Sequence, residues 1–172
     1  GDWRYDYNGR GQLTTVSKNA DATVPTRTWT YDAQGRLTAL SQPESGLATS
    51  QYNAVGNVTY TEDARGAAAS GTSYTYNANH QLTFLNAPGT EDDVTTTYDS
   101  AGRTATVSNA TVQTTLSYDT SSRVIGRTDV ILGRSFVQTF VYDGYDNLIR
   151  ADYPLTGRKV FYDYDTQQRL VG

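Results

Sequence analysis

Three acidic clusters stand where catalysis would first be sought: Glu91-Asp92-Asp93, Asp143 with Asp146, and Asp163 with Asp165. Two carboxylates flanking a bond are the equipment of glycoside hydrolysis, one giving a proton while the other acts as nucleophile or base. The same groups could ligate calcium, but the spaced Asp/Asn-Gly loop that encircles that ion is missing, and Asp143-Gly144-Tyr145-Asp146-Asn147 is a degenerate hairpin turn. His80 is the only histidine and cysteine is absent, so a nucleophilic triad has one possible base and a zinc site has no second soft ligand. Each acidic cluster lies in a linker or at a turn. They read as solvated turn carboxylates, and the chain as a non-enzyme without metal or cofactor.

Aromatic chemistry is the stronger alternative. The chain has 14 Tyr and 2 Trp but no Met or Cys, and only 37% of it is hydrophobic, so tyrosine must do much of the packing. A buried Tyr keeps a hydroxyl that needs a partner, which suits a half-wet sheet better than a dry helical interface. Stacked rings could also hold sugars, with Trp3 and Trp29 the places to look. A ladder that recurs turn after turn is better read as cross-strand packing, since a ligand site would interrupt the repetition.

The elements that position these rings come from a repeat. Aligning on Tyr followed by Asp or Asn, with an apolar position six residues after the Tyr, gives eight copies. Their anchors are Tyr7, Tyr31, Tyr52, Tyr76, Tyr98, Tyr118, Tyr142 and Tyr164, at spacings of 24, 21, 24, 22, 20, 24 and 22 residues. Side chains before each anchor alternate with period two, as in Trp29/Tyr31, Leu116/Tyr118 and Phe140/Tyr142, which is the pattern of a strand with one aromatic face. After the Tyr, the Asp or Asn can accept a downstream backbone N–H, and Gly11, Gly35, Gly56 and Gly102 offer a left-handed conformation. Apolar residues then resume, so every unit predicts a β-hairpin, with polar stretches such as Asn19-Ala20-Asp21 between units. His80 takes the glycine position in its copy and reads as a turn residue rather than a base.

The turn contains a covariation. Asp after the Tyr goes with Arg four residues later: Asp32 with Arg36, Asp99 with Arg103, Asp119 with Arg123 and Asp165 with Arg169. Asn goes with a neutral partner in Asn8/Gln12, Asn53/Asn57 and Asn77/Gln81, and Asp143/Asn147 is mixed. These side chains are expected to meet across the turn, charge with charge and amide with amide, fixing register more than adding stability.

Tyr-Asp-x-x-Gly-Arg-Leu at such intervals resembles the YD repeat of bacterial Rhs proteins, of the B and C components of insecticidal Tc toxins, of wall-associated proteins and of teneurins. The resemblance extends from Tyr5 to Leu170. It implies a curved or spiral antiparallel sheet of tandem hairpins, a partial Rhs-type shell, which in Rhs and Tc proteins encloses a toxic C-terminal domain and in teneurins serves as an adhesion scaffold. Residues 1–172 contain neither the Asp-Pro-Gly-type segment that ends the Rhs core nor a toxin sequence. Eight hairpins, about 16 strands at roughly 4.8 Å, give roughly 75 Å of sheet, too little to close a large shell.

Residues 1–172 are therefore expected to form a single all-β array of about eight units, a fragment of a larger protein. Its function would be that of a scaffold segment in a shell enclosing a C-terminal domain; the alternative is an extracellular adhesion or glycan-binding module. Expected partners are flanking YD repeats and the enclosed domain, with edge-to-edge self-association through exposed terminal strands. A net charge of −4 without a basic block argues against nucleic acid. With no long apolar run and no leader segment, membrane insertion is not expected, and a bacterial parent protein would carry the chain to the cell surface or outside. The sequons at Asn57 and Asn109 would matter only in a eukaryotic secretory pathway.

Overall fold

The structure, a computed structural model, describes residues 2–18, 24–63, 71–89 and 93–171. Asn19, Ala20, Asp21, Glu91 and Asp92 lie outside the described residues. The chain divides into two compact units, 1–92 and 93–172, and each is described by itself.

In the first unit the predicted alternation yields β1 (Trp3–Tyr7), β2 (Leu13–Lys18), β3 (Arg27–Tyr31), β4 (Leu37–Gln42), β5 (Gly46–Tyr52), β6 (Val58–Glu62), β7 (Gly71–Tyr76) and β8 (Leu82–Asn86). In the second it yields β9 (Val94–Tyr98), β10 (Thr104–Ser108), β11 (Val112–Tyr118), β12 (Val124–Ile131), β13 (Arg134–Tyr142), β14 (Leu148–Tyr153) and β15 (Arg158–Phe161). The fold is all-β, and within each unit every strand pairs antiparallel with its neighbour in sequence. The eighth hairpin departs from the expected pair of strands. Its first strand ends at Phe161, and beyond it Tyr164 and Leu170 meet in a single antiparallel bridge.

Each anchor Tyr pairs with the residue six positions on, as in Tyr31↔Leu37 and Tyr142↔Leu148, and the next residue is an extra one that shifts the register. This bulge keeps Tyr and its apolar partner on one face while the strands resume normal pairing beyond it. Pairs further from the turn then alternate between the faces. Trp29↔Leu40 and Phe140↔Ala151 lie on the aromatic face; Thr28↔Ser41, Ser73↔Asn86 and Thr106↔Thr115 lie on a face of hydroxyls and amides. Thr97 and Thr106 hydroxyls meet there at 2.7 Å.

A sheet without a covering layer buries little. Among the described residues only Val16, Ala151 and the carboxylate-bearing Asp129 are buried. Asp129 accepts from Thr114 Oγ1 at 2.6 Å and pairs with Arg127 Nε at 2.9 Å, which pays for its loss of water. Stability must then come from strand pairing and from side chains that join one hairpin to the next.

Between hairpins, backbone pairing stops short of the turns. Strands β2 and β3 pair only at Thr15↔Thr28 and Val16↔Arg27, and β4 with β5 only from Ala39↔Thr49 to Gln42↔Gly46. Adjacent hairpins therefore splay at their turn ends, and side chains must bridge the gap.

Candidate functional site

The recurring residues converge at the turn end. Each turn has the backbone bonds of a type I turn followed by one left-handed residue: in the second copy Gly35 N–H donates to Asp32 O at 3.0 Å and Asp32 N–H to Arg36 O at 2.9 Å. In all eight copies the Asp or Asn side chain seats two downstream N–H groups on its Oδ1, those of the second and fourth residues after it. Only a short side chain with an acceptor at this reach can do so, which is why no other residue type occupies the position. The left-handed residue is Gly11, Gly35, Gly56 or Gly102 in four copies, and His80, Ser122, Asp146 and Gln168 adopt φ of 61°, 65°, 70° and 63° in the others.

With Oδ1 committed to backbone, Oδ2 of the Asp faces the paired Arg. Nε–Oδ2 separations are 2.6 Å for Asp32 with Arg36, 2.7 Å for Asp119 with Arg123 and 2.6 Å for Asp165 with Arg169, and Arg103 Nε donates to Asp99 Oδ2 at 2.8 Å. Among the neutral pairs, Asn8 Nδ2 donates to Gln12 Oε1 and Asn77 Nδ2 to Gln81 Oε1 at 3.1 and 3.0 Å, while Asn147 Nδ2 donates to Asp143 Oδ2 at 2.9 Å. The expectation for Asn53/Asn57 needs correcting, because Asn57 turns its amide away to His80 Nδ1 at 3.2 Å.

Arg169 pairs with Asp165 but differs from the other three arginines in its surroundings. The sequence sets it beside Arg36, Arg103 and Arg123 as an equivalent turn residue, and it does hold Asp165, but its side chain is 74% exposed where theirs are 27 to 28%. Its Nη2 turns back to Gln167 Oε1 of its own turn at 3.2 Å. The reason is position: among the described residues no later turn stands beside Arg169 to cover it.

These bonds depress the turn carboxyls below their ordinary range. At Asp99, Asp119 and Asp165 the first cause is the backbone N–H of the paired Arg, and at Asp143 it is the Asn147 amide. At Asp32 partial desolvation would raise the pKa, but the N–H and guanidinium of Arg36 with the N–H of Gln34 outweigh it.

Sequence reasoning reaches the contacts within the turns, Asn53/Asn57 excepted, and misses those between turns. The hydroxyls of Tyr31, Tyr52, Tyr76, Tyr118, Tyr142 and Tyr164 donate to Leu13 O, Leu37 O, Val58 O, Thr104 O, Val124 O and Leu148 O at 2.8 to 3.1 Å. Every acceptor is the carbonyl of the residue six past the preceding anchor. Tyr98 closes β9 opposite Thr104, and Tyr7, on the first strand, is 60% exposed.

Arginine fills the rest of the gap. The guanidinium carbons of Arg36, Arg103 and Arg123 lie 4.6, 4.5 and 4.9 Å from the ring centres of Tyr52, Tyr118 and Tyr142, the anchors of the next hairpins. Their Nη1 groups donate to Asn53 O, Asp119 O and Asp143 O at 3.1 to 3.2 Å. Where the left-handed residue is not glycine, its side chain meets the preceding turn: His80 with Asn57, Ser122 with Arg103 at 3.2 Å, Asp146 with Arg123 at 2.7 Å, and Gln168 with Asn147. Each of these contacts joins the fifth residue after one anchor to the fourth after the next.

Three of the carboxylates weighed for catalysis are held in this framework. Asp143 and Asp165 hold their own turns, and Asp146 pairs with Arg123 of the preceding turn. Asp163 contributes its carbonyl to Val171 N–H at 2.8 Å. Among the described residues no three His, Asp or Glu side chains converge as a metal-ligand set. Trp3 is 46% exposed on β1, and Trp29 is half-buried on β3.

A family model described as the teneurin YD-shell matches residues 2–131. This chain belongs to the teneurin YD-shell family. No curated protein sequence matches it. Among solved structures, this YD-shell chain superimposes on a TcdB2-TccC3-Cdc42 crystal structure with a TM-score of 0.75 at 14% identity. It also superimposes on TcdB2-TccC3 without its hypervariable C-terminal region, at 0.69 and 18%, and on the Photorhabdus luminescens Tc holotoxin pore, at 0.59 and 16%. In each case 98% of the chain is covered; it spans 10%, 10% and 11% of those chains. These likenesses show a shared fold. A YD-shell is a scaffold, and the residues that recur in this member are those that hold its hairpins together.

Proposed function

We propose that the chain is a wall segment of one longer YD-repeat array, whose parent protein encloses a C-terminal domain of toxin type. The observation that carries this reading is the use made of the recurring residues. The anchor hydroxyls and the paired guanidinium groups are directed at the backbone of a neighbouring hairpin, so the groups that recur serve wall building rather than catalysis. One solved relative is described by the hypervariable C-terminal region it lacks, and such a region is what a shell would surround. The parent protein would be secreted or displayed on a bacterial cell.

The test is limited proteolysis of the parent protein. Its C-terminal domain should survive protease that digests the same domain expressed alone, and Tyr118→Ser combined with Tyr142→Ser should shorten that survival. Equal digestion with and without the repeats would overturn enclosure. Severed from flanking repeats, the chain should associate edge to edge through β1, whose one strand partner among the described residues is β2. Sedimentation at rising concentration would reveal this as a growing dimer fraction; a strict monomer with both terminal hairpins protected from amide exchange would count against it.

A further inference from the structure

In the second unit, β13 outruns its neighbour. It is nine residues long and β14 only six, and the two pair only from Thr139↔Asp152 onward. Past Asp152 the chain turns away, because Pro154 brings no N–H to a ladder and Thr156 N–H folds back to Tyr153 O at 3.1 Å. Arg134 to Gln138, roughly 17 Å of extended chain, therefore have β12 on one side and no strand on the other. Leu132 and Gly133, with φ of 48° and 78°, make a two-residue turn, so Ile131↔Arg134 is a hydrogen-bonded pair, and such pairs recur at Asp129↔Phe136 and Arg127↔Gln138. Ser135 and Val137 fall between them. Their N–H and C=O groups point to the open side and have no partner among the described residues.

The surroundings of this edge are cationic in a chain whose net charge is −4. Arg127 and Arg150 are occupied by Asp129 and Asp152. Arg134, Arg158 and Lys159 are exposed and have no acidic partner among the described residues. At the inner end of the edge an open hollow of about 260 Å³ is lined by Thr139, Asp152, Pro154 and Lys159. Phe136 and Val137, 37% and 38% exposed, offer one apolar contact on each face of the strand.

The geometry points to a docking site for an extended acidic segment of another polypeptide, which adds to β13 as an antiparallel strand beside Ser135 and Val137. Main-chain bonds to an open edge give such an addition its affinity, and the side chains around the edge select the sequence. Cations on the edge repel a second copy of the same edge, which keeps it from pairing with itself. The same charges attract a strand of opposite sign. Alternate side chains of the added strand meet Arg134, Phe136 and Arg158 on the aromatic face, where carboxylates are favoured, and Ser135 and Val137 on the other, where a β-branched residue fits. The site does not rest on enclosure, since it lies at the end of the hairpin away from the recurring turns.

The capped peptide Glu-Val-Glu-Val-Glu-Val is the probe and Lys-Val-Lys-Val-Lys-Val its charge-reversed match, each titrated into the whole chain and followed by amide exchange in NMR spectra. The acidic peptide should saturate with a Kd of about 1 mM or tighter and bind at least about tenfold better than the basic one. It should slow exchange at the Ser135 and Val137 amides and leave Phe136, already bonded to β12, unchanged. N-methylation of each Val, whose N–H faces the edge in an antiparallel addition, should abolish saturation, while N-methylation of each Glu should cost little. Val137→Pro removes an outward N–H without taking one from β12, and should abolish binding with the circular dichroism spectrum retained. Arg134→Gln with Lys159→Gln changes two exposed side chains, leaves the ladder intact and should cost about tenfold in affinity. The proposal is overturned if the acidic peptide fails to saturate at about 20 mM, if the basic peptide binds as well, or if Ser135 and Val137 gain no protection. It is equally overturned if methylating Glu is as damaging as methylating Val, or if the Arg134/Lys159 variant binds as the parent chain does.

Discussion

Removing one hydroxyl tests whether the anchors link hairpins. Tyr142 Oη donates to Val124 O at 2.9 Å, and Tyr142→Phe deletes that bond while leaving the ring beneath Arg123. The bond is neutral and the hydroxyl is only part-buried, so water can partly replace it; the cost should sit near the middle of the usual ~0.5–1.5 kcal/mol, at about 1 kcal/mol. For a unit the size of residues 93–172 this is a fall in Tm of roughly 4–8 °C. Tyr145 supplies the control three residues away, since it is 77% exposed and outside the ladder. Thermal melts by circular dichroism give the size of the effect, and native-state amide exchange gives its place, which should be the β12–β13 boundary. If Tyr142→Phe melts with Tyr145→Phe, or if protection falls evenly over the unit, the anchors are not the links described here.

Acid should loosen the array. The turn carboxyls have folded pKa values below the ordinary 3.8, so their contribution is fully present above that pH and is lost as pH falls through the depressed values. A Tm that stays flat from neutral pH to about pH 2 would refute this. Gly102→Ala should cost about 1–2 kcal/mol for its left-handed φ of 79°. Ser122→Gly should gain less than the reverse of that amount, because it surrenders the bond from Arg103; urea melts of both variants make the comparison. Gly71→Ala should cost about 1–3 kcal/mol in the same assay, because a Cβ there would overlap the Tyr60 ring that covers Gly71.

The turns were legible because their chemistry is local. An Asx side chain reaching two N–H groups and an Arg four residues on recur at fixed offsets, whatever separates the repeats. The links between hairpins were not legible as contacts, because their partners sit 14 to 23 residues apart, at distances that change with each linker. Tyrosine content points to packing, and a buried hydroxyl needs an acceptor, but no sequence pattern marks a backbone carbonyl as that acceptor. Asn57 shows the other limit: its local partner Asn53 was the obvious one, and a histidine 23 residues away took the amide. Arg169 shows a third, since the same residue at the same offset keeps its local pair with Asp165 yet stays exposed where Arg123 is covered. The broken eighth hairpin follows the same logic, since Tyr162 N–H donates to Ile149 O while Val171 N–H reaches Asp163 O, leaving only the bridge between Tyr164 and Leu170.

The anchor hydroxyls, and the arginine Nη1 bonds to the next turn's first residue, use main-chain oxygens as acceptors, and every residue type has one. A Tyr hydroxyl or an Arg Nη1 arriving at a neighbouring turn therefore finds its acceptor whichever copy that neighbour is. A segment duplicated or lost from one turn to the next would leave an intact joint behind, with no compensating substitution required. Linker lengths can drift for the same reason, as the spacings from 20 to 24 residues show. Against this interchangeability, the partnerships of His80, Ser122, Asp146 and Gln168 are side chain to side chain, and they alone among the described left-handed positions favour one neighbour over another. Lineages that lengthen the array by copying should thus accumulate change first at those four positions.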